Sequence, residues 1–391
     1  MSDLGLTHQL RPAQSQLPVD WYHSQAQFDL ELRTLFKPGP GYVGHELMVP
    51  APGDYHAIGW MNDALALVRG TEGIEGTSGT SGTSGTSGTS GTGGIELVSN
   101  VCRHRQAIML NGRGNLAQHG GNIVCPVHRW TYNPQGTLLG APSFSVNPCL
   151  DLHQVKLQRW NGLLFRGTRD IAADLRQLSV QADLSFDGYR LDHVHVHECH
   201  YNWKTFIEVY LEDYHVETFH PGLGNFVTCD DLVWQFDDRY SVQTVGVSSQ
   251  FDHPGSEKYR VWKEQLLKYR DGKPPKHGAI WLTLYPNIMV EWYPHVLVVS
   301  HLIPRGPQHT SNIVEFYYPE DIVLFEREFI AAEQAAYLET SAEDDEIALR
   351  MDAGRRALME QGINQTGPYQ TPMEDGMQHF HEYVRRDLAQ E

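Results

Sequence analysis

The chain has 391 residues, enough for two or three domains at about 150 residues each. Its 30 Lys and Arg against 48 Asp and Glu leave a formal net charge of −18. That excludes the basic face a nucleic-acid binder needs to displace phosphate counterions. No run approaches the ~20 apolar residues of a membrane span, and the polar start MSDLGLTHQLRPAQSQ lacks the apolar core of a secretory signal. With five sparse cysteines, the expectation is a soluble cytoplasmic protein with reduced thiols.

In chain order, residues 1–39 read as an N-terminal arm. Residues 40–155 carry short apolar runs separated by Gly/Pro turns (PAPGD, NGRG, HGG, NPQG), the pattern of a small all-β unit. Inside it a tandem GTS repeat runs from Gly76 to Ser90 and, with its flanks, fills 71–94. Gly, Ser and Thr cannot bury enough apolar surface to offset chain entropy, so a flexible coil is expected there. It reads as an expanded hairpin loop between the strand-like runs 64–68 and 95–98, since loop-closure entropy grows slowly with length. Residues 156–391 are mixed: a helical stretch at Trp203–Phe219, alternating apolar runs between 232 and 318, and helical periodicity towards the C-terminus. The segment LTLYPNIMVEWYPHVLVVSHLIP holds three strand-like pieces that suit a central antiparallel sheet. The fold class is α+β: an all-β module, then a domain whose central antiparallel sheet is flanked by helices.

Cys102 and His104 form a C-x-H pair, and Cys125 and His128 a C-x-x-H pair. Two short loops side by side could turn both sulfurs inward and both imidazoles outward. That suits a [2Fe–2S] cluster with two Cys on one iron and two His on the other, a ligand change that raises the reduction potential. The alternative is a structural zinc site, but zinc motifs usually begin with paired cysteines and each half here mixes Cys with His. VCRHR and CPVHRWTYNPQG together resemble a Rieske [2Fe–2S] domain, and YVGHELMVPAPGDY resembles the entry strands of Rieske-containing oxygenase subunits. The family often has Gly where Gln106 and Arg129 stand here. Trp130 is placed to shield the cluster.

A second set lies in NWKTFIEVYLEDYHVETFHPGL, where His215 and His220 are spaced H-x₄-H. Five residues turn an ideal helix through about 500°, so the two would not share a face on a regular helix. Pro221 pushes His220 out of the α region, to a helix end from which it can swing toward His215. Two neutral imidazoles with one carboxylate and open positions form the facial triad of non-haem Fe(II) oxygenases.

This stretch resembles the catalytic domain of Rieske non-haem iron oxygenases, aromatic-ring-hydroxylating dioxygenase-like alpha subunits. The resemblance implies that Glu212, three residues before His215, links the mononuclear iron site to a cluster histidine across a subunit boundary in a head-to-tail homotrimer. It also implies a third ligand in SAEDDEIALRMDAGRRALMEQG: Asp344 by register with Gly354, with the adjacent Asp345 as the other option. The family's usual Gln in this stretch is replaced by Asp352, and an Asn common near the first helix by Val209.

The expected function is an oxygenase subunit that receives electrons at a Rieske cluster from an external NAD(P)H-dependent reductase or ferredoxin. It passes them to Fe(II) for O₂-dependent hydroxylation of an aromatic or similar small organic substrate. The alternative is a monooxygenase or demethylase acting on a choline-, betaine- or carnitine-like amine; a Rieske electron carrier without oxygenase activity is more remote. Trp281, Tyr285, Trp292, Tyr293 and His295 are expected to line the pocket, stacking on an aromatic or holding an ammonium by cation–π attraction. His193, His195 and His197 alternate along a strand and read as its polar face, His379 and His381 as packing or surface groups, and Cys149, Cys199 and Cys229 as small buried residues. No GxGxxG fingerprint is present, so no flavin or NAD(P)H site is expected in the chain itself.

Overall fold

In the computed structural model, which describes residues 15–71 and 94–389, Gly41–Gly167 form one of two compact units. Its strands are β1 (Tyr42–His45), β2 (Asp54–Ala57), β3 (Leu65–Arg69), β4 (Ile95–Ser99), β5 (Arg113–Asn115), β6 (Ile123–Val124), β7 (Thr131–Tyr132), β8 (Leu138–Gly140), β9 (Gln154–Val155), β10 (Gln158–Trp160) and β11 (Leu163–Phe165). They arrange into three sheets, ordered β5-β2-β3-β4-β9, β6-β7-β8 and β1-β11-β10. β3 and β4 pair from Leu65↔Ser99 to Arg69↔Ile95, so the strands on either side of the GTS repeat are antiparallel neighbours. The repeat itself, expected to be a flexible loop, lies outside the described residues.

The unit runs past residue 155, where the sequence suggested a boundary, because β11 returns to pair with β1, Phe165 opposite Tyr42. β10 and β11 are joined at Asn161–Gly162, with φ of 49° and 81°, a two-residue turn whose twist matches the strands. Gly162 is also required sterically: a Cβ there would stand 2.2 Å from His45 Nε2.

The second unit joins the N-terminal residues up to Pro40 with Thr168–Glu391. Residues 15–40 are therefore not a separate arm. Leu17, Tyr22 and Leu35 are buried in one cluster with Trp203, Phe380 and Tyr383. Helix α1 (Gln25–Glu31) brings Glu31 to within 2.8 Å of Lys204 Nζ, both side chains fully buried. Breaking such a pair would strand a buried charge, which anchors the segment in place.

The seven-stranded antiparallel sheet of this unit comprises β12 (Tyr189–Cys199), β13 (Val227–Asp237), β14 (Tyr240–Val247), β15 (Ala279–Leu284), β16 (Ile288–Tyr293), β17 (Val296–Gly306) and β18 (His309–Pro319). Its order is β12-β18-β17-β16-β15-β14-β13. The helices are α2 (Ile171–Asp174), α3 (Trp203–Tyr210), α4 (Val216–Phe219), α5 (Pro221–Phe226), α6 (Glu257–Tyr269), α7 (Glu320–Phe325), α8 (Arg327–Glu360) and α9 (Asp375–Leu388). Alternation along the strands turns Trp281, Val298 and Phe316 to one face, where they pack with Trp262 of α6 and Phe329 and Ala336 of α8. The central antiparallel sheet flanked by helices is thus the observed architecture. Among the described residues no helix is long and apolar enough to cross a membrane.

Candidate active site

In the smaller unit the two Cys/His loops repeat one backbone pattern. The Cys102 carbonyl accepts from Gln106 N at 3.0 Å, and the Cys125 carbonyl from Arg129 N at 3.1 Å. Gln106 and Arg129 both sit in the left-handed region, at φ 56° and 63°, which is the physical reason glycine is favoured at these places. Cys102 and Cys125 are buried, 1% and 2% exposed, inside one core cluster with Trp130 and Tyr132. The imidazoles of His104 and His128 lie outside it, ring centroids 4.7 Å apart, and Trp130 stacks on His104 at 5.0 Å. Tyr132 Oη stands 3.7 Å from Cys102 Sγ. His104 Nδ1 is buried without a hydrogen-bond partner. Two inward sulfurs and two outward imidazoles, one with an orphaned nitrogen, are the donor set a [2Fe–2S] group of Rieske type requires.

In the larger unit the expected helix Trp203–Phe219 is broken. Asn202 caps α3, its side chain accepting from Lys204 N, and the helix stops at Tyr210. His215 then caps the single turn α4, and His220 follows it at φ −106°, ψ 88°, in the break that Pro221 imposes. The break turns the two imidazoles together, Nε2 to Nε2 at 3.0 Å. Asp344 Oδ1 lies 3.0 Å from His220 Nε2 and 3.5 Å from His215 Nε2.

The outer nitrogens also face carboxylates, and that of His220 is hydrogen-bonded. His215 Nδ1 stands 2.5 Å from Glu212 Oε1, and His220 Nδ1 2.8 Å from Glu343 Oε2. Glu343 orients the His220 ring by hydrogen bond, and Glu212, which accepts from His215 N at 3.1 Å, sets its charge beside the second ring, so that both Nε2 atoms face Asp344, a support typical of metal-binding histidines. Burial works against charge on His215, but Asp344 and Glu212 outweigh it and raise the imidazole to about 10. The pocket between these groups therefore favours positive charge, and its donor chemistry fits a divalent iron.

Asp345 points elsewhere. Its carboxylate is 2.8 Å from His197 Nε2 and accepts from Tyr201 Oη at 2.6 Å. Of the two aspartates, Asp344 is the one that meets His215 and His220. The long helix α8 is registered against α3 by Asp352, which accepts from Asn202 N at 2.8 Å and Thr205 Oγ1 at 2.5 Å. The departure at Asp352 thus ties the helix bearing Asp344 to the segment leading into Glu212 and His215.

A cavity opens beside this set. Among the described residues its lining includes five carboxylates (Glu212, Asp213, Glu291, Glu333 and Asp344) and no Lys or Arg. Glu291 is 2% and Glu333 3% exposed. Asp213 keeps one buried oxygen without a hydrogen-bond partner. Burial, with Glu212 adding to it, raises Asp213 to about 7. Trp281 and Tyr293 line the cavity as expected, Trp281 Nε1 donating to Tyr293 Oη at 2.8 Å. Tyr285, Trp292 and His295 do not. Trp292 alternates with Glu291 and Tyr293 and faces the other side of the sheet; Tyr285 donates or accepts with His379 Nδ1 in the α9 core; His295 is bound to Arg270 beside Tyr269.

Sequence reasoning missed Glu343, Glu291 and Glu333. A lone Glu inside the apolar run IMVEWY is the signal that could have found Glu291. His193, His195 and His197 do share one face of β12, with ring centroids 6.4 and 6.5 Å apart. His379 and His381 are packed in the interior of the unit, His381 bound to Glu208 at 2.8 Å. Cys199 and Cys229 are buried, but Cys149 is exposed, in a loop at φ 54°.

Comparison with known proteins agrees with this geometry. Residues 41–154 match the Rieske [2Fe-2S] domain family, and residues 186–390 the family of ring hydroxylating alpha subunits (catalytic domain). The chain is 58% identical over 99% of both lengths to putrescine 2-hydroxylase of Ralstonia nicotianae, and 25% identical to chloroplastic choline monooxygenase of Beta vulgaris over 95% of this chain and 76% of that one. Its fold is shared with a quaternary ammonium Rieske monooxygenase (CntA), at a TM-score of 0.70 and 18% identity over 96% of each chain. The chain therefore belongs to the Rieske non-haem iron oxygenase alpha subunits, which combine a [2Fe–2S] domain with a mononuclear iron catalytic domain.

Proposed function

We propose that this oxygenase hydroxylates putrescine, a four-carbon diamine, at carbon 2. One oxygen atom of O₂ enters a C–H bond and the other leaves as water. An external NAD(P)H-dependent reductase or ferredoxin supplies two electrons, and solvent two protons. The observation that carries this reading is the cavity beside His215 and His220, lined among the described residues by five carboxylates and no Lys or Arg. A diamine brings two positive charges to offset buried carboxylates, and the walls of Trp and Tyr add cation–π attraction. An uncharged aromatic would leave those carboxylates uncompensated. The chain-long identity to putrescine 2-hydroxylase supports the same substrate.

In this reading Cys102, His104, Cys125 and His128 hold the cluster, and His215, His220 and Asp344 hold Fe(II). When bound, the cluster supplies single electrons and the iron activates O₂. Glu343 holds the Nδ1 proton of His220, and Glu212 places a carboxylate beside Nδ1 of His215. In a head-to-tail homotrimer Glu212 is also the group that would meet a cluster histidine of the adjacent subunit.

The test is O₂ uptake by the iron-replete protein with a surrogate reductase and isotopically labelled O₂. The expected product is 2-hydroxyputrescine carrying one labelled oxygen. Full cluster absorbance and full iron content without putrescine-dependent O₂ uptake would overturn the reading.

A further inference from the structure

Putrescine offers two kinds of carbon, one bearing nitrogen and one a bond further in. Selecting the inner carbon requires a cation anchor at a set distance from the iron end of the cavity. Helix α8 supplies a ruler for that distance. Tyr337 and Glu333 precede Asp344 by seven and eleven residues, which places all three within about 20° of one helix face. At ~1.5 Å per residue they lie roughly 10 Å and 16 Å from the level of Asp344.

Tyr337 marks the position of Glu291. Its hydroxyl donates to Glu291 Oε1 at 3.1 Å, and that of Tyr293 to Oε2 at 2.9 Å. Glu291 comes from β16, directly opposite Trp281 on β15, so one cavity wall presents the carboxylate and an aromatic face together. Glu333 lies one helical turn beyond Tyr337, bound by Tyr318 Oη. An extended diamine spans about 4 Å from carbon 2 to its distal nitrogen, given bonds of ~1.5 Å. A charge-assisted hydrogen bond adds ~2.8 Å and a near-attack approach at the iron end another ~3 Å. The sum is close to the axial rise of α8 between the backbone levels of Asp344 and Tyr337, and falls well short of the level of Glu333.

We propose that Glu291, oriented by Tyr293 and Tyr337, binds the distal ammonium of the diamine and thereby presents carbon 2 to the iron site. This rests on the diamine reading above. Burial, with the charge of Asp344 adding to it, pushes Glu291 up to about 7 against the pull of the two tyrosine hydroxyls, so a cation beside it secures its charge.

The experiment compares turnover of putrescine, 1,3-diaminopropane, cadaverine and butylamine by the holoenzyme with a surrogate reductase, for the natural chain and for Glu291→Gln. In the natural chain putrescine should exceed butylamine, which lacks the distal ammonium, by about a hundredfold in kcat/KM, the scale of a lost charge-assisted hydrogen bond. In Glu291→Gln that ratio should fall to about tenfold or less, through KM for putrescine, with oxygen appearing at more than one carbon. A Glu291 that is merely structural would lower all four amines together, and an unaltered ratio with a single product would overturn the anchor. Mononuclear iron content, with thermal unfolding followed by circular dichroism, reports whether the catalytic unit of the variant folds. If it does not, the natural chain still decides, because equal turnover of butylamine and putrescine excludes a distal anchor. No turnover of any diamine by the natural chain defeats the diamine reading instead.

Discussion

The two metal-binding regions are assembled in opposite ways. In the Gly41–Gly167 unit each half-site closes on itself within a five-residue loop, Cys102 to Gln106 and Cys125 to Arg129, and both sulfurs sink into one apolar cluster. In the larger unit two imidazoles come from a broken helix, and their carboxylate arrives from the middle of α8, far along the chain. Their surroundings differ as well. Cys102 and Cys125 are packed among Trp130, Tyr132 and aliphatic side chains, whereas His215 and His220 are ringed by Glu212, Glu343 and Asp344. The first region surrounds two sulfurs with apolar side chains; the second gathers negative charge around two imidazoles. Local loops suit a cofactor that must be held rigidly, and a site shared among distant elements suits one that must also receive substrate.

This contrast can be broken by testing whether the sites are independent. Asp344→Ala should lower substrate-dependent O₂ uptake by about a thousandfold or more, as expected when a ligand to a reacting metal is removed, while visible cluster absorbance stays intact. Cys102→Ser should do the reverse, bleaching the cluster and sparing the iron bound at His215 and His220. Iron analysis with absorbance spectroscopy reads both, and loss of the cluster in Asp344→Ala would show that the regions are not separate.

A sharper comparison is between neighbours. Asp345→Asn removes the charge bound to His197 and Tyr201 but leaves the face toward His215 untouched, so iron content should persist and activity fall by less than about tenfold. If Asp345→Asn strips the mononuclear iron as Asp344→Ala does, the assignment of Asp344 is wrong.

The charge contrast also predicts stability. Burial raises Glu291 to about 7 and Glu333 to about 8, above their unfolded values near 4.3. A carboxyl raised on folding contributes its full stability below the unfolded value and loses it as pH rises through the folded one. Substrate-free protein should therefore lose roughly 3 kcal/mol per group between about pH 5 and pH 8. Thermal unfolding at fixed ionic strength reads this, and Glu333→Gln should flatten the slope; an unchanged slope would contradict it. Putrescine should protect most at the alkaline end, where the carboxylates are charged.

The smallest effect concerns the cluster loops. Gln106→Gly and Arg129→Gly relieve a left-handed strain of about 1 kcal/mol each, partly offset by chain entropy, so Tm should rise by only a few degrees at most. A fall in Tm would mean that contacts of the Gln and Arg side chains outweigh the backbone strain.

Much of this was readable before any coordinates. The Cys/His loops are local, and their spacing alone carries the geometry. His215, His220 and the break between them follow from Pro221. Asp344 is favoured over Asp345 by its register with Gly354, a family pattern and not a local physical signal, since adjacent residues of α8 point about 100° apart and only packing sets which face meets the imidazoles. The aromatic wall was half legible: Trp281 and Tyr293 line the cavity, but Trp292 and Tyr285 depend on pleat direction and on packing against α9.

The family, the order of the units and the local Cys/His and His/His pairs are legible in the amino-acid sequence, because each pair spans only a few residues. Tertiary packing alone settles that residues 15–40 belong with the catalytic unit, that Asp344 rather than Asp345 faces the histidines, and that Glu291 and Glu333 converge on one cavity. Those facts depend on which faces of distant elements come together. Strand pairing across the sheet and the seating of α8 on α3 set them, and neither is encoded in local spacing.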